Sequence, residues 1–374
     1  MRSNLPHFLC HKRTLSTLVC GAMVAITLTV LTAGCSQTTL DLLGRSFIPN
    51  TMTAQAVTDS SYHQVILPGY RDFLMEARQL DEAVKAYVQR PQDPQQLLAA
   101  QNAWKAASTA WVMTEAYQFG PATEERLRQN IAYWPRRTEH IQSVLAGSAP
   151  IVIEQLGTSR KGLPVLEYLL FGEGLSLGDS AKQRHRDYLQ SLSADLVKQA
   201  DALLQQWQTG DYGANYLNSA NAANMQLNQW VVLLENIKNK RLGEPAGLLG
   251  TALGEEGLEA PESDYSLALL RAAIDGFARS YALEGLSIQS STPDMGAYLV
   301  ALGHRQVHQR VNEQLQKLRA DLDRLGPSLA EALKNNPEAV EASYEDVKTL
   351  LRYVKVDLAN ALNQTVNFTD NDGD

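Results

Sequence analysis

Apolar positions recur three and four residues apart along most of the chain, the spacing of a helix with one buried face. No run alternates apolar and polar residues, and clusters of β-branched residues are sparse. The pattern predicts a first helix over about 62–90 with a kink at Pro68-Gly69, and a second from an Asp93-Pro94 cap to about Phe119. Gly120-Pro121 stops that second helix. Further helices follow over about 124–145, interrupted at Trp134-Pro135, then over 179–207 and 215–240. Residues 244–263 carry Gly247, Gly250, Gly254 and Gly257 between Pro245 and Pro261, the clearest break in the periodicity. Three long helices are expected beyond it, over about 264–283, 294–325 and 338–362. The expected architecture is all-α, with two packed helical bundles at 61–243 and 264–374 inside one domain. The second bundle is read as half of an internal duplication.

The N-terminus breaks this pattern. Arg2, Lys12 and Arg13 precede an uncharged stretch from Leu15 to Leu31, and Thr32-Ala33-Gly34-Cys35 follows. Residues 1–34 therefore read as a secretory signal. The cysteine after Ala33-Gly34 resembles a bacterial lipobox, which makes Cys35 the expected lipidation site, although Thr32 stands where that motif usually has leucine. The alternatives for the same residues are an ordinary cleaved signal or an uncleaved anchor helix. Ser36 fits the pattern of outer-membrane sorting, and residues 35–60, rich in Thr and Ser, read as a flexible tether. The expected location is the bacterial envelope, on the periplasmic side or surface, with the lipid as membrane partner.

A chain of 374 residues, 44% of them hydrophobic, can bury a large core. Its balance of 33 basic to 41 acidic side chains argues against nucleic acid as a partner, because phosphate binding needs clustered Lys and Arg. The same balance leaves cationic ligands open, a divalent or iron ion among them, without specifying any cofactor.

Candidate chemistry is sparse. In Arg160-Lys161-Gly162-Leu163-Pro164-Val165-Leu166-Glu167, the glycine and proline distort a helix start and Glu167 follows in its first turn. Glu167 either projects into a polar pocket between the bundles, or caps its own helix and pairs with Arg160 or Lys161. Glu115 shares a stripe with Leu97, Trp104 and Trp111, where a buried carboxylate needs a partner. That partner could be a second carboxylate with a metal, or an arginine such as Arg241; the stripe's edge could also reach water. His304 and His308 stand four apart, a spacing at which two imidazoles can share a metal. Arg305 follows His304 where a zinc motif needs glutamate, so a solvated helix face is the better reading of this pair. The tail Asp370-Asn371-Asp372-Gly373-Asp374 opens like a calcium loop, but the ligands that should follow are missing, so a frayed or docked acidic end is expected. No nucleophile elbow, phosphate loop or cysteine nucleophile is present.

Taken together, Trp104 to Pro121, Trp134-Pro135, Lys161 to Phe171, Arg241-Leu242-Gly243-Glu244-Pro245 and Phe368 to Asp374 resemble the imelysin family, in the same order. The resemblance implies a double helical bundle, export to the periplasm or outer membrane, and a link to iron acquisition; some members are classed as metallopeptidases. Its signature, Gly-x-His-x-x-Glu, reads here Gly162-Leu163-Pro164-Val165-Leu166-Glu167, with proline in place of the histidine. Proline can neither ligate a metal nor shuttle a proton. The expectation is therefore a non-catalytic binding or accessory component in iron or metal acquisition, working with other envelope proteins. Its candidate pocket residues are Gly162, Pro164, Glu167, Glu115 and Arg241. The alternatives are a metallopeptidase that draws metal ligands from Glu167, Glu115, His304 and His308, or a structural envelope lipoprotein with no small ligand.

Overall fold

A computed structural model describes residues 52–124, 126–172, 179–283 and 292–366. The expected signal, the lipid site at Cys35, most of the tether and the acidic tail lie outside the described residues.

The described residues are helical, with no strand among them. Helix α1 covers 54–89 and is composite: Ala54–Ser60, a π-helical stretch Ser61–Ile66, and Leu67–Gln89. It begins inside the stretch expected as tether, because Thr53 caps it through its side chain, accepting from the Ala56 N–H. Helix α2, Pro94–Met113, starts where the Asp93-Pro94 cap predicts, with the Asp93 carboxylate accepting from the Gln95 N–H. It tightens into a 3₁₀ turn, Thr114–Tyr117, before the Gly120-Pro121 stop. Short helices α3 (Pro121–Glu124), α4 (Leu127–Ile131) and α5 (Thr138–Ala146) follow, the gap between α4 and α5 holding Trp134-Pro135. Helix α6 is Leu163–Phe171, α7 is Asp179–Gln208 and α8 is Asp211–Leu217.

Helix α9, Ala222–Asn236, runs on into a π-helical stretch, Ile237–Gly243, and a last turn, Glu244–Ala246. After the glycine-rich connection come α10 (Ser266–Tyr281), α11 (Met295–Ala301) and α12 (Arg305–Asp323). The single helix expected over 294–325 is thus two, broken at Leu302–His304. Helix α13 (Leu329–Asn335) precedes α14 (Pro337–Arg352), which continues through a third π-helical stretch, Tyr353–Leu358.

Two groups of helices pack together. In one, α1 lies against both α2 and α7, with α6 tucked against α2 and α7. In the other, α14 packs on α12 and on α9 with its π extension. Helix α10 joins them by packing on α2 and on the Thr114–Tyr117 turn. Gly276 makes that approach possible, since a side-chain carbon there would stand 2.4 Å from the Met113 carbonyl oxygen. Helix α9, which precedes the glycine-rich connection, packs both on the Thr114–Tyr117 turn and on α14, so it touches both groups. One continuous apolar core spans both groups, anchored by Trp104, Trp111, Trp207 and Trp230. Each of these large side chains contributes roughly 2–3 kcal/mol through burial, which lets a body without disulfides in its described residues hold together.

Candidate functional site

Two buried ion networks lie side by side where the helical groups meet, and one short segment, 258–263, threads both. The first is centred on Glu167. Gly162 precedes α6 with φ +78°, and a side-chain carbon there would stand 2.1 Å from the Ile131 carbonyl oxygen, so only glycine lets this stretch lie against α4. Trp104 of α2 fixes the same stretch from the other side by donating its indole N–H to the Leu163 carbonyl at 2.8 Å. Pro164 takes its place in the first turn of α6, where its missing N–H costs nothing.

Glu167 is then carried fully into the interior. Its Oε1 accepts from the Ser263 backbone N–H at 3.0 Å and from the Ser263 hydroxyl at 2.8 Å, and its Oε2 accepts from Arg136 at 3.3 Å. Its partners are thus Arg136 and Ser263, not the neighbouring Arg160 or Lys161. Arg136 also forms a two-pronged pair with Glu262 and lies over the Tyr168 ring, 5.1 Å from its centre. One guanidinium thus serves two carboxylates. Glu262 keeps some contact with water, whereas the Glu167 side chain has none. Burial, and then the Glu262 charge, push Glu167 up to about 8 against the opposing pull of Ser263 and Arg136.

The second network is centred on Arg241, in the π-helical extension of α9. Its guanidinium donates to both oxygens of Glu115 at 2.8 and 2.9 Å, and to both oxygens of Glu259 at 2.7 and 2.9 Å. Burial works against that charge, but the two carboxylates outweigh it and raise the Arg241 pKa well above its usual value. The partner expected for the carboxylate on the Trp104–Trp111 stripe is therefore Arg241. Glu115 and Arg241 line a cavity of about 340 Å³ between the Thr114–Tyr117 turn, α4 and α9; Gly162, Pro164 and Glu167 do not.

A cation does not fit either carboxylate as these residues stand. Pro164 offers no donor atom, both oxygens of Glu167 are already bonded, and Arg136 places a positive charge beside them. Glu115 is bound in the same way to Arg241. His304 lies exposed just before α12, and His308 is buried within it. His308 shares a hydrogen bond with the Tyr281 hydroxyl at 2.9 Å and stacks on that ring, so it belongs to the core and not to the solvated face expected for it. Burial, and then Arg305, lower its pKa. Among the described residues no group of three or more His, Cys, Asp or Glu is placed to hold a metal ion.

Sequence reasoning did not single out Arg136, Glu259, Glu262 or Ser263. Their only signal was position: Arg136 follows the Trp134-Pro135 interruption, and the other three border the Pro261 end of the connection. Both stretches lack helical periodicity, so their charges could not be assigned to a face.

The imelysin (peptidase M75) family model matches residues 66–356. The chain is similar to iron-regulated protein A of Synechococcus elongatus, at 30% identity over 248 residues, 63% of this chain and 62% of that protein's length. The match thus spans less than two thirds of that relative. Its fold is similar to that of an imelysin-like protein from Psychrobacter arcticum 273-4, with a TM-score of 0.70 at 19% identity over 91% of this chain and 100% of the other. A candidate iron-regulated protein A precursor from Parabacteroides distasonis ATCC 8503 gives a TM-score of 0.70 at 17% identity over 83% of this chain and 96% of the other. The family match, running from α1 to the π-helical continuation of α14, takes in both networks and the altered signature that carries Glu167: the chain belongs to the imelysin family.

Proposed function

We propose that this protein is an exported, lipid-anchored imelysin-family member that serves iron or metal acquisition as a binding or accessory component without peptidase chemistry. One observation carries the reading. The signature histidine is Pro164, and the remaining signature carboxylate, Glu167, is bonded through both oxygens to Ser263 and Arg136. A carboxylate held in this way fixes the junction between α6 and the 258–263 segment; it is not free to activate water or to hold a metal. The iron-regulated names of two relatives support the link to iron. The leader and Cys35 support export and anchoring, and among the described residues no helix is long and apolar enough to cross a membrane. Binding is assigned to the cavity beside Arg241.

The reading is tested by pairing two measurements. The purified chain should release no peptides from unfolded casein with or without added zinc or iron, and its abundance in cells should rise on iron starvation. Metal-dependent proteolysis would establish the metallopeptidase instead. Abundance indifferent to iron would favour a structural envelope role.

A further inference from the structure

We propose that the cavity beside Arg241 is a binding site for a small organic anion, held by Arg128 and Lys240. This rests on the non-catalytic binding role and names the class of ligand for the same site.

The cavity's charged lining is three cations, Arg128, Lys240 and Arg241, and two carboxylates, Glu115 and Glu259. Both carboxylates are committed to Arg241, each through both oxygens. That leaves Arg128 and Lys240 half-buried, with no carboxylate paired to either among the described residues. A cation partly withdrawn from water without a counter-charge is costly, and a bound anion removes that cost. Inside a concave wall the two charges also reinforce each other's attraction for anions.

The local backbone supports a built site. Lys240 and Arg241 both line the cavity and sit in the π-helical stretch Ile237–Gly243. Such interruptions commonly mark functional positions in helices. Arg128 comes from α4 on the facing wall, and Tyr133 and Trp134 add an aromatic side. A volume of about 340 Å³ falls at the small end of ligand sites, which suits a compact carboxylate.

The test is calorimetric titration of the full chain in detergent, with citrate and with inorganic phosphate as probes. Citrate should bind one to one, and more weakly as salt rises. Arg128→Gln and Lys240→Gln should each weaken it by roughly tenfold, the value of one charge-assisted hydrogen bond, while Lys240→Arg retains it. Among the described residues neither cation has an ion pair to lose, so the melting temperature of the unliganded variants should match the parent and exclude misfolding as the cause. Absence of citrate binding, or binding unmoved by both neutral substitutions, overturns the proposal. Phosphate binding as tightly as citrate overturns the organic part of it. Failure of citrate to bind would leave the accessory reading standing, whereas metal-dependent proteolysis would sink that reading whatever citrate does.

Discussion

Glu167 sets the terms at the scale of single residues. Its folded pKa of about 8 lies above the ordinary value of 4.5, so the folded state binds its proton more tightly than the unfolded chain does. The stabilisation is complete below pH 4.5 and is lost as pH rises towards 8, by on the order of a few kcal/mol. Glu167→Gln keeps the shape without the charge. Its melting temperature should therefore gain on the parent's as pH rises through that window, and a constant difference would show that Glu167 is ionised throughout. Arg241 carries the opposite risk. Arg241→Met strands Glu115 and Glu259 in a mostly buried setting and should cost about 3 kcal/mol in a denaturant melt. The Glu115 pairing was legible because a carboxylate on an apolar stripe demands a partner and Arg241 was at hand as a buried-pair candidate. The partners of Glu167 were not legible, since they come from loops whose residues carry no periodicity. His308 misled for a related reason: its helix begins only at Arg305, so spacing alone assigned it to the wrong surroundings.

At the scale of elements, the altered signature is a packing joint. Gly162, Pro164 and the Leu163 carbonyl fit α6 between α4 and α2, each using a property of the backbone and not of a reactive group. Gly162→Ala forces a side chain into a left-handed conformation and against the Ile131 carbonyl, and should cost at least about 2 kcal/mol, readable as a lower melting temperature. Most helices were legible because their apolar stripes are long and their stops are marked by Gly and Pro. Three π-helical stretches, at Ser61–Ile66, Ile237–Gly243 and Tyr353–Leu358, were not. Each inserts into an otherwise regular helix, and the apolar period averaged over a window does not register one widened turn. The stretch in α9 is the one that matters for the site, since it carries Lys240 and Arg241.

At the scale of the whole molecule, the fold class followed from the helical period alone. The glycine-rich connection looks like a boundary in sequence, yet α9 before it packs with α14 after it, and segment 258–263 within it ties both ion networks together. The central claim is that this junction holds a buried structural carboxyl group, Glu167, where the family signature places one beside a histidine. The metal content of the full chain tests it most directly, measured by elemental analysis after exposure to iron and zinc and removal of excess, for the parent and for Glu167→Ala. The account predicts no stoichiometric metal in either protein. A stoichiometric metal in the parent that disappears with Glu167→Ala would contradict it.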